Sequence, residues 1–291
     1  MKALLTLLIL SALAACGAET PVPEAQADHR PRRIVSLDYC ADQYVLKFAD
    51  RQDILALSPY AGESFSYMRE QAVGLRSVQP HAENILALRP DLVVRSFGGG
   101  PNMAAFLEQA GVSVVQLGYP ASLADVREEV TRLSAALGNA QAGREVVQHM
   151  DERLARIGSD ARARTALYLT PSGVTTGPDT LVNEMIEAAG FRNFQRRKGW
   201  NPLPLERLAY RRPDIVAAAS FGEGANKVDN WSAARHPIAR AQLRDRPVVS
   251  MSGAWTSCGG WFLLDAVEAL AKAPAAAMAD AGPAAGRGGG S

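Results

Sequence analysis

The chain has 291 residues, 47% of them hydrophobic and 21% charged, enough apolar material for one large or two medium cores, which excludes disorder of the whole. Lys and Arg number 31 against 30 Asp and Glu, for a formal charge of +1. That neutral balance argues against a nucleic-acid partner, which calls for a basic face.

In chain order, Met1-Lys2 and the apolar run from Ala3 to Ala15 have the positive start and the length of a secretory signal, too short for a spanning helix. Residues 1–15 are predicted as that signal, and Leu13-Ala-Ala-Cys16 resembles the bacterial lipobox, in which Cys16 becomes the lipidated first residue. Ordinary cleavage beside an incidental cysteine is the other reading. Residues 16–31, rich in Ala, Pro and Glu, read as a flexible tether. With Cys16 set aside, Cys40 and Cys258 remain, and an even pair in an exported protein makes a disulfide the first hypothesis.

An N-terminal lobe is predicted over 32–138. Ile34 to Leu37 and Ile54 to Leu57 read as buried strands around a helix from Asp42 to Ala49, and residues 58–80 as a long aromatic and basic loop. Then comes Glu83-Asn-Ile-Leu-Ala-Leu-Arg-Pro-Asp-Leu-Val93, which returns in degenerate form as Glu206-Arg-Leu-Ala-Tyr-Arg-Arg-Pro-Asp-Ile-Val216. In each copy a short helix stops at a proline and a β-branched run follows, so one αβ unit is used twice. The first copy leads into Ser96-Phe-Gly-Gly-Gly-Pro101; without a Lys-Ser/Thr or a Gly-x-Gly-x-x-Gly pattern, this glycine loop does not read as a nucleotide site. Met103 to Ala110 reads as a helix and Val112 to Leu117 as a strand, completing an alternating β/α array that favours a parallel sheet.

Ser122 is a predicted N-cap with Asp125 three residues on, and Gly138 ends that helix. The next helix, within 139–162, is the predicted connector. A second lobe is predicted over 163–273: a strand from Ala166 to Leu169, a turn-rich loop to Pro178, a helix from Leu181 to Ala189, and a basic aromatic segment around Arg196 and Trp200. After the second unit, Ser220-Phe-Gly-Glu-Gly224 echoes the first glycine loop; Trp231 to Arg240 reads as a helix interrupted at Pro237, Pro247 to Met251 as the last strand and Phe262 to Lys272 as the last helix. The Ala/Gly-rich tail, 274–291, is predicted to be disordered. The fold class expected is α/β: two doubly wound lobes with mainly parallel sheets, joined by one long connecting helix.

A catalytic reading finds little. No Gly-x-Ser-x-Gly elbow is present, and His29, His81, His149 and His236 are scattered, without the spacing of a metal site. We therefore expect no catalytic residues, no metal ligands, no cofactor and no enzyme activity. Ligands of doubly wound lobes sit beyond the carboxyl ends of the strands. The loops expected there carry Tyr39, Tyr60, Phe97, Trp200, Phe221 and Trp255, with Arg69 and Arg95, residues that offer apolar area and partners for carboxylate or phenolate oxygens.

Arg33-Ile-Val-Ser-Leu37, the units at Glu83 to Val94 and Glu206 to Val216, and the closing Val248-Val-Ser-Met-Ser-Gly-Ala-Trp255 resemble the ABC-transporter substrate-binding proteins for iron-siderophores and cobalamin, over about residues 32–272. The resemblance implies a monomer with ligand between the lobes and limited hinge motion, delivering an iron(III)-siderophore or a corrinoid to an ABC permease. It also implies that one glutamate per lobe, here Glu83 and Glu206, docks onto permease arginines, and it places the protein in the periplasm, anchored to a membrane through Cys16. The basic segment around Arg196 leans towards an anionic siderophore, with cobalamin close behind; no histidine or tyrosine stands out as an axial ligand for haem. A secreted cysteine hydrolase using Cys40, and a lipoprotein serving as a non-transport interaction module, stay open beside this reading.

Overall fold

The computed structural model describes residues 30–157, 164–220 and 232–273. The predicted signal, Cys16, Phe221 and the tail lie outside them. The elements are β1 (Ile34–Ser36), α1 (Tyr39–Phe48), β2 (Ile54–Ala56), α2 (Arg69–Ala72), α3 (Ala82–Ala87), β3 (Leu92–Arg95), α4 (Met103–Gln109), β4 (Ser113–Gln116), α5 (Leu123–Ala136) and α6 (Ala140–Ala155). They continue with β5 (Thr165–Leu169), β6 (Val174–Thr176), α7 (Leu181–Ala188), β7 (Arg192–Asn193), β8 (Trp200–Pro202), α8 (Leu205–Tyr210), β9 (Ile215–Ser220), α9 (Pro237–Asp245), β10 (Val248–Ser252), α10 (Gly253–Thr256) and α11 (Leu263–Ala271).

Two four-stranded parallel sheets form, in the orders β2-β1-β3-β4 and β10-β9-β5-β7. The repeated unit supplies an interior strand to each: β3 lies beside β1 with Val93 opposite Val35, and β9 beside β5 with Val216 opposite Leu167. The aspartate of each unit has the same job. Asp91 accepts from the backbone N–H of Arg32 (2.9 Å) and Arg33 (3.1 Å), and Asp214 from the backbone N–H (2.6 Å) and hydroxyl (2.8 Å) of Thr165. Each carboxylate therefore ties the start of its strand to the start of the neighbouring one, where chain ends would otherwise leave N–H groups unpaired.

Between the sheets, α5 and α6 form a helical hairpin. Ser122 and Asp125 make a reciprocal capping box at the start of α5, and Gly138, at φ 77°, turns the chain into α6. The two helices approach closely because Gly143 has no side chain: a Cβ there would lie 1.8 Å from Ser134 Oγ. α5 packs on α1 and α7, one from each lobe, and α6 on α11. The predicted connector region thus contains α6, while its neighbour α5 also spans the two lobes. Arg153 of α6 fixes the hairpin to the second lobe through Asp265 and Glu268 of α11, at 2.7 Å each.

One hydrophobic core runs through both lobes. Tyr44 and Phe48 of α1 pack edge-on against Trp261 at 5.5 and 5.6 Å, Tyr67 stacks on Phe262 at 4.9 Å, and the Tyr44 hydroxyl donates to the Gly259 carbonyl at 2.8 Å. Each large side chain so buried contributes about 1.5–3 kcal/mol, which opposes wide separation of the lobes.

Three local readings change. The turn-rich loop after β5 and the basic aromatic segment contain β6 and β8, which pair antiparallel; three-residue strands rich in Thr and Asn leave no apolar period to detect. The helix expected to break at Pro237 instead begins there, because proline at the first helical position has no N–H that the helix needs. Residues 58–80 contain α2, a single turn.

Candidate functional site

Where strands of the two sheets end, a cleft of about 840 Å³ opens between the lobes, within the usual size of small-molecule sites, about 300–1,000 Å³. The first lobe contributes Tyr39 and Cys40 at the start of α1, Ser96 and Phe97 after β3, and Leu117 to Ala121 after β4. The second lobe contributes Tyr168 of β5, the loop after it, Asp179 to Val182 leading into α7, Trp200 of β8, and Thr256 to Gly259.

The wall of the first lobe is held by Asp38. Its Oδ1 caps α1 through the Ala41 N–H (3.0 Å), and its Oδ2 accepts from three successive N–H groups, Ser96 (2.6 Å), Phe97 (3.0 Å) and Gly98 (2.9 Å). The glycine loop is thus an anion nest whose anion is the protein's own carboxylate. Gly98 is needed for this closeness, since a Cβ would lie 2.3 Å from the Leu37 carbonyl oxygen. Arg95, buried, braces the loop from its other end by donating to the Gly100 carbonyl at 2.8 Å. Cys40 and Cys258 form a disulfide on the lining of the cleft, S–S 2.02 Å, joining the lobes across 218 residues of sequence.

Of the eight residues expected to contact ligand, Tyr39, Phe97 and Trp200 line the cleft together. Tyr60 stands further out on a chain of rings, 6.5 Å from Phe65, which is 5.0 Å from Tyr39. Arg95 and Arg69 do not line it: Arg95 braces the loop, and Arg69 lines a separate hollow beside Glu70. Trp255 packs on the core while its neighbours Thr256 and Ser257 face the cleft. Phe221 lies outside the described residues.

Sequence reasoning missed Tyr119, Tyr168 and Asp179. Tyr168 sits inside the strand run Thr-Ala-Leu-Tyr-Leu, which reads as core; burial pushes its phenol up to about 12, with the Thr256 hydrogen bond pulling the other way. Trp200 packs edge-on against it at 6.1 Å. Tyr39 is raised too, first by burial and then by the charge of Asp38. Both stay neutral hydroxyls at any physiological pH. Tyr119 is 79% exposed on the lining. Asp179, at φ 64°, pairs with Lys198 at 2.9 Å. The described lining therefore carries aromatic rings and hydroxyls, with Asp179 as its charged side chain and no arginine or lysine.

The sequence profile of the periplasmic binding protein family matches residues 34–239. The chain belongs to that family. Its two parallel-sheet lobes are those of the class. A cobalamin-binding protein of Halobacterium salinarum is 26% identical over 235 residues, 76% of this chain. This chain spans only 63% of that relative's length. The ABC transporter substrate-binding lipoprotein YvrC of Bacillus subtilis is 22% identical over 298 residues, covering 89% of this chain and 92% of its own. Among solved structures, the periplasmic heme-binding protein BhuT in complex with two hemes superposes with a TM-score of 0.60 at 25% identity, over 82% of this chain and 97% of that one. Among the described residues, no group of His, Cys, Asp and Glu could hold a metal ion, and no helix is long and apolar enough to cross a membrane.

Glu83 and Glu206 are exposed in the first turns of α3 and α8. A helix that feeds a parallel strand runs against it, so both N-termini lie at the level of the cleft rather than at the far edges. Neither glutamate makes an ion pair among the described residues.

Proposed function

We propose that the protein is a periplasmic, membrane-anchored lipoprotein that captures a corrinoid of the cobalamin type in the inter-lobe cleft and delivers it to an ABC permease. One observation carries the choice of cargo: Tyr39, Phe97 and Tyr119 on one wall face Tyr168 and Trp200 on the other, with hydroxyls and backbone groups between them and no arginine or lysine in the described lining. Rings and neutral hydroxyls suit a large, flat ligand of low net charge. The arginines that favoured an anionic ferric siderophore stand elsewhere, and the Halobacterium relative named for cobalamin points the same way. Cys16 supplies the lipid anchor, and Glu83 and Glu206 dock onto permease arginines, one from each lobe.

A second reading, haem, is favoured by Tyr119, an exposed phenol on the cleft lining and so a ready axial oxygen, and by the likeness to BhuT. Titration with cyanocobalamin, haemin and ferrichrome, followed by tryptophan fluorescence, separates the three. Cyanocobalamin should bind most tightly, and Trp200→Ala should weaken it. Tight haemin binding with a Soret shift lost in Tyr119→Phe would replace corrinoid by haem, and tight ferrichrome binding alone would restore the siderophore.

A further inference from the structure

The basic aromatic segment divides: Gly199 and Trp200 line the cleft, while its arginines Arg192 and Arg196 face away from it. These help form a second hollow of about 450 Å³ lined by Thr165, Arg192, Asn193, Phe194, Arg196, Arg207, Arg211 and Arg212. Thr165 opens β5, Arg192 opens β7, and Arg211 and Arg212 lie between the end of α8 and the start of β9. The hollow therefore sits at the edge where the strands begin, whereas the cleft lies where they end. Among the described residues, eight line it, of which five are arginines and none is a carboxylate. Two acidic residues lie close to these arginines in sequence: Glu206, exposed beside Arg207 and making no ion pair among the described residues, and Asp214, whose Oδ2 is taken by the Thr165 N–H and hydroxyl.

The guanidinium carbon of Arg207 lies over the Phe194 ring, 4.3 Å from its centroid, and the guanidinium donates to the Phe194 carbonyl, two contacts that hold it in place on the lining of the hollow. Arg196, Arg211 and Arg212 are exposed around it, and none of these four makes an ion pair among the described residues. Burial, and then the charges of Arg196 and Arg211, hold Arg207 below the ordinary arginine range. A solvated surface explains scattered arginines. It does not explain so many converging on one hollow in a chain whose formal charge is only +1.

We propose that this hollow is a binding site for a phosphate-bearing anion, held by Arg196, Arg207, Arg211 and Arg212. Guanidinium forks match phosphate oxygens in pairs, and Arg207 arrives pre-oriented by its ring contact. The site stands apart from the cleft and does not depend on what the cleft carries. The same chemistry could come from a free polyphosphate or from the headgroups of an anionic lipid surface.

The test uses the full chain with Cys16→Ser as the wild-type reference, so that no lipid anchor carries it to vesicles, in two arms at low ionic strength. Sodium pyrophosphate is titrated calorimetrically, and flotation is measured with vesicles of phosphatidylglycerol in phosphatidylcholine against phosphatidylcholine alone. Wild type should bind in at least one arm, and Arg196→Ala with Arg211→Ala and Arg212→Ala should weaken that binding roughly tenfold or more, with cleft ligand binding unchanged. Pyrophosphate alone identifies a soluble phosphate, and vesicles alone a headgroup. If the triple variant does not fold, single Arg211→Ala and Arg212→Ala at their exposed positions carry the same test with a smaller loss. The proposal is overturned if wild type takes neither probe, or if the folded variants bind as wild type does.

Discussion

Asp38 holds Phe97 in the cleft wall: its Oδ2 accepts the Phe97 N–H at 3.0 Å, together with those of Ser96 and Gly98, while its Oδ1 caps α1. Asp38→Ala strands these buried donors at once. It should cost about 3–5 kcal/mol in urea unfolding and weaken cleft ligand binding, whereas Phe97→Ala should weaken binding with little loss of stability. Equal stability losses in the two variants would show that Asp38 does not act through the loop.

The disulfide between Cys40 and Cys258 closes a loop of 218 residues across the lobes. Cross-links of long loops stabilise by about 2–5 kcal/mol. The Cys40→Ser, Cys258→Ser double variant should unfold at lower urea and lose the sensitivity of the wild type to reductant, with ligand still bound through the shared aromatic core. A wild-type unfolding curve unmoved by reductant would contradict this.

Asp42 is buried in α1, where its carboxylate accepts the Ser58 N–H at 3.0 Å and the Ser58 hydroxyl at 2.5 Å. Burial, against those hydrogen bonds, pushes its carboxyl up from 3.8 to about 6. Between these values the folded state holds a proton that the unfolded state has released. Asp42 therefore adds stability as pH falls through about 6, and its buried charge costs up to about 3 kcal/mol at neutral pH. Asn keeps an acceptor for the N–H and offers the hydroxyl a donor. Asp42→Asn should be more stable than wild type at pH 8 and equal to it near pH 4; a constant difference across that range would refute the assignment.

Glu83 and Glu206 are exposed, and neither lines the cleft. Glu83→Arg with Glu206→Arg should abolish uptake in cells that depend on this protein, while the affinity of the purified protein for its ligand and its melting temperature stay within error. Uptake at the wild-type rate would remove the docking role.

Much of the fold was legible because it rests on local rules. Alternating β-branched runs, the Ser122 and Asp125 cap, Gly138 and the paired Arg-Pro-Asp units each act within a few residues, so periodicity and capping reveal them. The candidate site was legible only in part. Tyr39, Phe97 and Trp200 follow from the rule that ligands gather at strand ends; Tyr168 does not, since an aromatic inside a strand reads as core until the opposite lobe leaves a gap in front of it.

By itself, then, the sequence determined the alternation of strands and helices in the two parallel sheets, the duplication and the two lobes, because hydrophobic period and turn chemistry are written in neighbouring residues; the short β6, β8 and α2 escaped it for want of a period. Tertiary structure alone decided which distant groups meet. It put Asp38 against a loop nearly sixty residues away, withdrew Arg69 and Arg95 from the cleft, and gathered Arg196, Arg207, Arg211 and Arg212 into a hollow at the other end of the sheet. Side-chain direction and long-range packing settle such meetings, and neither has a period that a sequence can display.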